Sequence, residues 1–355
     1  MDYILFFLLA GLLAVVVTPL VRKYATKFGY LDIPKPPRNL HTHSVAKLGG
    51  LAIYFAVVVS IAVYWLVVGI DYNIVPAKFI WAIILGGAVL MVSSLIDDKY
   101  DLSAKYLIVF PTVAALIIVY SGIGVGIKFL SNPFGDPISL GFLVLGIPAS
   151  GIFIFLWLMG MMFTTKFLDG LDGLVAGIGL IASLTLFALS LTARVNQPIT
   201  ATLAIILVGA LAGYLFYAFN PASIFLGEGG STIIGFFLGV FSVILGGKIA
   251  TALLVMGIPI LDVAWVIAQR IWHRKSPFMG DRLHLHFKLL DLGFSQKQTA
   301  LVLYAISAVF GFTAVFLQSM GKLVALIILF ALMAGLILGV IYSYRRRQRN
   351  HQLTS

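Results

Sequence analysis

The sequence is divided by apolar runs of about twenty residues, the length at which a helix crosses the hydrocarbon of a bilayer. This repetition constrains the fold more than any other feature. About eleven such runs can be counted. They lie at Tyr3–Val21, Gly49–Ile70, Phe79–Ile96, Tyr106–Gly122, Gly141–Phe163, Leu174–Ala193, Thr200–Phe219, Thr232–Gly246, Ile249–Ala268, Thr299–Leu317 and Leu323–Tyr344. The eighth is short and glycine-rich, so a tilted or broken segment is expected there. Of the 355 residues 61% are hydrophobic, and the mean hydropathy is +1.07; a soluble domain is nearer half apolar. The chain therefore reads as an all-α polytopic membrane protein. The first run has no basic segment before it and no small-residue cleavage signal after it, so it is expected to be a retained span. No internal repeat or soluble segment interrupts the series, and residues 1–355 are expected to form one integral membrane domain. Cysteine is absent, which excludes disulfides and thiolate metal sites.

The loops between the runs fall into two alternating sets. Of the 24 Lys and Arg residues, 19 lie in one set, from Arg22 in the first loop to the terminal Arg345, Arg346, Arg347 and Arg349. The other set holds the remaining 5, which are Lys78, Lys128, Arg194, Lys248 and Lys322. Cytoplasmic loops carry the excess of Lys and Arg. The N-terminus is therefore expected outside, the C-terminus in the cytoplasm, and the protein in the cell (plasma or inner) membrane. The same asymmetry accounts for the net charge of +11 through topology and anionic lipid, with no nucleic acid required. Among the outward loops the longest, 123–140, alternates Val125, Ile127 and Phe129 before an Asn-Pro-Phe-Gly-Asp-Pro turn. This alternation suggests a small outer β-hairpin, with an irregular loop as the alternative.

Acidic residues collect in the basic set of loops. Thr164–Gly177 reads TTKFLDGLDGLVAG, with Asp169 and Asp172 three residues apart, a spacing that puts both on one face of a helix or tight turn. Gly170 and Gly173 follow them and permit close backbone approach or a strained turn. The loop IDDKYDLSAK carries Asp97, Asp98 and Asp101 with Lys99 and Lys105, and the loop NPASIFLGEGGS sets Glu228 among three glycines. The long polar loop 269–298 carries Asp281, Arg282, His284 and His286. Its histidines lack the HExxH or thiolate context of a zinc site, which leaves phosphate contact, proton transfer or structural hydrogen bonding. The Pro-rich loop before Lys47 is not helical. Carboxylates at the edge of hydrocarbon are costly and are retained for ions, protons or substrates. The span interiors are almost free of charge, with Asp262 the nearest exception. Carboxylates and cations sharing one interface suit a hard divalent ion holding a phosphorylated substrate, since Mg²⁺ takes one or two carboxylates and completes its shell with phosphate and water.

With these motifs in view, the chain resembles the polyprenyl-phosphate N-acetylhexosamine-1-phosphate transferases. The likeness runs through KLGG at Lys47–Gly50, IDDKYDLSAK at Ile96–Lys105, FLDGLDGLVAG at Phe167–Gly177, FLGEGGS at Phe225–Ser231 and DRLHLHFKLLDLGFS at Asp281–Ser295. It is nearer the N-acetylglucosaminyl-1-phosphate branch than the muramoyl-pentapeptide branch. The resemblance implies ten or eleven spans, a homodimer, and transfer of a sugar-1-phosphate from a UDP-sugar to polyprenyl (undecaprenyl) phosphate with release of UMP. Mg²⁺ is the implied cofactor, with Mn²⁺ as the alternative. Implied catalytic residues are Asp97 and Asp98, near the lipid phosphate, with Asp169, His284 and His286. Implied substrate contacts are Lys47, Lys105, Lys166, Asp172, Phe225 as the ring on uracil, and Arg282. Implied metal ligands are Glu228, Asp172 and Asp98. The chain departs from the family pattern at Glu228, where Asp is usual, at Phe163 and Lys166, where two Asn are usual, and at Phe287, where His often ends the motif. Two rival readings are a transporter of lipid-linked or anionic solutes and a catalytically silent relative.

Overall fold

The structure is a computed structural model, and it describes residues 2–34, 43–69, 75–124, 127–130, 132, 134–144, 146–244, 248–274 and 283–354. It is built almost wholly of helices. The first is α1 (Tyr3–Phe28), followed by a two-residue antiparallel pairing of β1 (Leu31–Asp32) with β2 (Val45–Ala46). Then come α2 (Gly49–Val67), α3 (Ala77–Tyr100), the short α4 (Ala104–Leu107) and α5 (Val109–Ser121). Two small antiparallel pairs follow, β3 (Phe129–Leu130) with β4 (Ile138–Ser139) and β5 (Leu143–Val144) with β6 (Ile147–Pro148). The rest comprises α6 (Ala149–Leu168), α7 (Leu174–Leu191), α8 (Pro198–Ala218), α9 (Glu228–Phe241), α10 (Ile249–Val255), α11 (Gly257–Trp272), α12 (Leu285–Asp291), α13 (Gln296–Phe316) and α14 (Ser319–Thr354).

Among the described residues, α1, α2, α3, α6, α7, α8 and α13 are long and apolar enough to cross a membrane. α10 and α11 add an eighth span if taken together across their 78° bend. Each of the eleven apolar runs overlaps a helix, but α5, α9 and the apolar part of α14 fall short of spanning length. The protein is thus an all-α, multi-pass membrane protein.

Three sequence expectations need correction. The fifth run does not begin as a helix at Gly141, because β5 (Leu143–Val144) pairs with β6 (Ile147–Pro148) and the helix starts only after Pro148, which supplies a fixed φ and no N–H for a preceding turn. In the eighth run no break occurs as far as Phe241. α9 is one continuous helix, buried from Gly229 to Phe241. The ninth is not a single straight span. It bends at Met256, where Gly257 and Pro259 follow in succession, and Pro259 cannot donate to the carbonyl four residues back.

At the centre stands α8, with 83% of its apolar window buried against 22% for α1. α1 reaches it closely because both surfaces are small there. A Cβ on Gly209 would collide with the Phe7 carbonyl, and one on Gly213 with the Gly11 carbonyl. Small residues four apart let two backbones approach in lipid, where packing and not water exclusion drives association. α9 lies against α6 and α3, with Phe236, Phe237 and Phe241 fully buried. These helices run so that the C-termini of α3, α6, α8 and α11 and the N-termini of α7, α9 and α13 meet at one end of the bundle.

Candidate functional site

That end holds a cavity of about 700 Å³. Its construction begins with a chain crossing. Phe225 N–H donates to the Ala46 carbonyl (2.8 Å), and the N–H groups of Gly49 and Gly50 donate to the carbonyls of Phe225 and Leu226 (both 2.9 Å). A Cβ on Gly50 would strike the Cα of Gly230, so KLGG and GEGG interlock at bare backbone. Gly227 turns with φ +76° directly over the Asp98 carboxylate, where a side chain would find no room.

Lys47 Nζ lies 3.8 Å from Asp98 Oδ1 and 3.8 Å from Asp32 Oδ1. Asp98 Oδ2 accepts from Ser94 Oγ at 2.8 Å, and Asp98 Oδ1 faces the Glu228 N–H at 3.5 Å. Asp97 also reaches the cavity, though its Oδ1 accepts the Leu102 N–H at 2.8 Å and so closes the end of α3. Lys166 Nζ pairs with Glu228 Oε2 at 2.8 Å, joining two of the positions at which this chain departs from the family pattern.

Asp169 and Asp172 both line the cavity, from a turn between α6 and α7 and not from a helix. Gly173 supplies the turn with φ +73°, while Gly170 supplies close approach, since a Cβ there would collide with the His286 ring. Asp172 Oδ2 accepts from Asn220 Nδ2 (2.8 Å) and the Ala222 N–H (3.0 Å), tying this turn to the α8–α9 loop. Asp169 stands open to the cavity, yet protein surrounds it on every other side. That enclosure and the neighbouring Glu228 carboxylate push its carboxyl up to about 7, against a hydrogen bond with Ser231.

His284 caps α12 at the cavity wall. Its Nδ1 lies 2.8 Å from Asp262 Oδ2, and Asp262 Oδ1 accepts the Leu285 N–H at 2.8 Å. The ring stacks between Phe167 (centroids 6.4 Å apart) and His286 (5.5 Å). Arg270, buried at the end of α11, also lines the cavity, as does the half-buried ring of Phe225.

Two expected contacts are not there. Lys105 lies exposed on α4 and does not line the cavity. His286 is 1% exposed and lies behind Gly170, outside the cavity lining; burial pushes its ring down to about 3, so it is neutral and unsuited to phosphate contact. Arg282 lies outside the described residues, as does Asp281. The motif reading also missed partners. Asp262 signalled itself as the charge within an apolar run. Arg270 was legible only as a topological charge, and Asn220 and Ser94 gave no sign.

The described lining residues include seven carboxylates (Asp32, Asp97, Asp98, Asp101, Asp169, Asp172, Glu228) and four cations (Lys47, Lys99, Lys166, Arg270). Among the described residues no three acidic or histidine side chains form a ready-made metal cage. An excess of carboxylates without a closed cage fits a hard divalent ion that takes one or two carboxylates and fills its shell from a phosphorylated ligand. The arrangement can hold polyanions through cations, counter the remaining acid charge with a divalent ion, and cover a planar base with Phe225.

Fold and site together define a multi-pass membrane protein with an acidic, cation-bearing cavity at one end of its helix bundle. Residues 80–246, from α3 through α9, match the family model described as glycosyl transferase family 4. It is 29% identical over 333 residues to a probable undecaprenyl-phosphate N-acetylglucosaminyl 1-phosphate transferase of Bacillus subtilis, covering 92% of this chain and 88% of the relative. It is also 29% identical to the decaprenyl-phosphate N-acetylglucosaminephosphotransferase of Mycolicibacterium smegmatis, over 86% and 80% of the two chains. An undecaprenyl-phosphate alpha-N-acetylglucosaminyl 1-phosphate transferase of Thermotoga maritima is 25% identical over 82% and 84%.

Proposed function

We propose that this protein transfers N-acetylglucosamine-1-phosphate from UDP-N-acetylglucosamine to polyprenyl phosphate, the first membrane step of a cell-surface polymer. The observation that carries the reading is the convergence of Lys47, Asp98, Lys166, Asp169, Phe225, Glu228 and His284 on one cavity at one end of the helix bundle. The names of the relatives supply the acceptor and the sugar.

An oxygen of the lipid phosphate attacks the β-phosphorus of the UDP-sugar. The bond from that phosphorus to the oxygen bridging it to the α-phosphate breaks, UMP leaves with the electron pair, and a polyprenyl-diphosphate sugar remains. Mg²⁺ would be held by one or two of Glu228, Asp172 and Asp98 and would neutralise the diphosphate charge that develops. Phe225 stacks on uracil. Lys47, Lys166 and Arg270 hold phosphate oxygens, and Asp262 fixes the His284 ring so that Nε2 is left for a phosphate oxygen. Asp97 or Asp98 accepts a proton from the acceptor when it enters as the monoanion. Because a phosphate monoester is largely ionised at neutral pH, positioning and charge dominate over general-base catalysis.

The distribution of Lys and Arg supports eleven spans with the N-terminus outside, the cavity at the cytoplasmic face, the β3–β4 hairpin outside, and residence in the cell membrane. A homodimer is part of the same reading. Purified protein supplied with undecaprenyl phosphate, Mg²⁺ and a panel of UDP-sugars should release UMP with UDP-N-acetylglucosamine, and EDTA should abolish the release. Folded protein that binds UDP but releases no UMP with any donor overturns the proposal.

A further inference from the structure

At the opposite end of the bundle, the basic residues that topology left behind gather. Arg194 lies in the α7–α8 loop, Lys248 precedes α10, and Lys322 opens α14. Lys322 Nζ donates to Thr251 Oγ1 at 2.6 Å, and Thr251 shares the first turn of α10 with Lys248. Lys322 and Arg194 lie near enough for their like charges to repel. Lys248 is only 6% exposed and donates to Gln197 Oε1. Among the described residues none of the three cations meets a carboxylate, and burial pushes Lys248 down to about 8. A buried cation facing only neutral groups is costly unless an anion completes its surroundings.

Directly inward from Lys322 lies a groove of about 310 Å³ whose lining is entirely apolar: Leu253, Gly257, Ile260 and Leu261 on one side, Leu326 and Phe330 among those of α14 on the other. The bend between α10 and α11 opens it. From Lys322 to Phe330 the helix rises about 12 Å, close to the roughly 15 Å of hydrocarbon in one leaflet.

We propose that this end of the bundle binds one anionic glycerophospholipid of the leaflet opposite the cavity, its phosphate on Lys322 and Arg194 beside Lys248 and one acyl chain in the groove. The charge decides the occupant. An apolar helix from a second copy would fill the groove and leave the cations unanswered, whereas a phospholipid anion satisfies both. A chainless phosphate would satisfy only the cations.

The test is native mass spectrometry of the full-length, delipidated protein titrated with phosphatidylglycerol, phosphatidylcholine of the same chains, or glycerol phosphate. Phosphatidylglycerol should occupy one site in preference to phosphatidylcholine, and glycerol phosphate should not reproduce it. Each cation near an anionic headgroup contributes roughly five-fold in affinity, so the double variant Arg194→Gln/Lys322→Gln should bind phosphatidylglycerol roughly 25-fold more weakly. Leu326→Trp fills the groove without touching the cations and should also lose the lipid, which keeps the test valid if the double variant fails to fold. Equal binding of the two lipids, unchanged binding in either variant, or glycerol phosphate matching the lipid overturns the proposal. So does a dimer that dissolves in Leu326→Trp, since a second copy then covers the groove.

Discussion

Lys166 and Glu228 pair at 2.8 Å within a cavity that otherwise carries excess acid. An ammonium on the acid proposed to hold Mg²⁺ competes with the ion for the same oxygen. Both side chains are partly exposed, so the pair is worth at most about 1 kcal/mol, which sets the competition at no more than about five-fold. Lys166→Ala should therefore lower the Mg²⁺ concentration giving half-maximal UMP release by up to about five-fold, and a Mn²⁺ titration should show the same shift in the absence of substrate. A variant that binds Mn²⁺ no more tightly than the parent in the absence of substrate would mean that the ammonium does not compete for the Glu228 oxygen. For Asp262 the expectation is different. Asp262→Asn keeps an acceptor for the Leu285 N–H but loses the charge beside His284. Partners that orient a working group typically cost 10- to 100-fold when changed, so UMP release should fall roughly that far with little change in melting temperature. His286 bears on stability. Its ring titrates near 6.5 when unfolded and at about 3 when buried, so below pH 6.5 the unfolded chain binds more protons and stability falls as pH drops toward 3. At pH 5 the deficit from this residue is about 2 kcal/mol. Detergent melts at pH 7.5 and 5 should show it in the parent and not in His286→Phe; equal pH dependence would place the ring in contact with water. The two histidines also mark what a motif can convey. Both fall in one motif, but His284 precedes α12 at the cavity wall while His286, in its first turn, packs behind Gly170, the two rings stacked 5.5 Å apart. The Asp169–Asp172 spacing survived because a turn serves it as well as a helix does.

For whole elements, apolar length was legible and geometry much less so. Each run found a helix because hydrocarbon demands that every backbone group be paired within the segment. Where a run began was obscured at Gly141, since the strands β5 and β6 are as apolar as the helix that follows. The bend between α10 and α11 did have a sign, Pro259, which a hydropathy count passes over. Contacts between helices were the least readable, because glycines in an apolar run look alike whether they face lipid or another backbone. Gly209 and Gly160 separate the two cases. Gly209 faces the Phe7 carbonyl, whereas nothing lies within 4 Å of a Cβ built on Gly160. Gly209→Leu must part α1 from α8 and should cost about 3 kcal/mol or more, lowering the melting temperature and abolishing UMP release. Gly160→Ala should leave both unchanged or slightly raise stability through helix propensity. Equal tolerance at the two positions would mean that α1 does not pack against α8 as described.

Taken as one molecule, the protein sets two charge patterns against each other. The chain carries a net charge of +11, yet carboxylates outnumber cations in the cavity lining, so the positive excess resides in loops, rims and the terminal Arg cluster. In the proposed reaction such a rim would draw anionic substrates toward the membrane surface while the acidic floor would retain a divalent ion. That division of labour requires the cavity and the basic loops to share one side of the membrane, the side where the nucleotide donor is made. The absence of cysteine makes the requirement testable with single introduced thiols. Gly135→Cys, in the turn between β3 and β4, and Gln318→Cys, between α13 and α14, lie at the end away from the cavity; Lys105→Cys and Lys297→Cys lie at the cavity end, and all four positions are exposed. In intact cells a membrane-impermeant maleimide should label the first two and spare the second two until the membrane is opened. The reverse pattern would place the cavity outside, away from any cytosolic UDP-sugar, and would remove the donor on which the proposed transfer depends. Labelling of all four in intact cells would mean that the bundle does not separate its two ends across a bilayer.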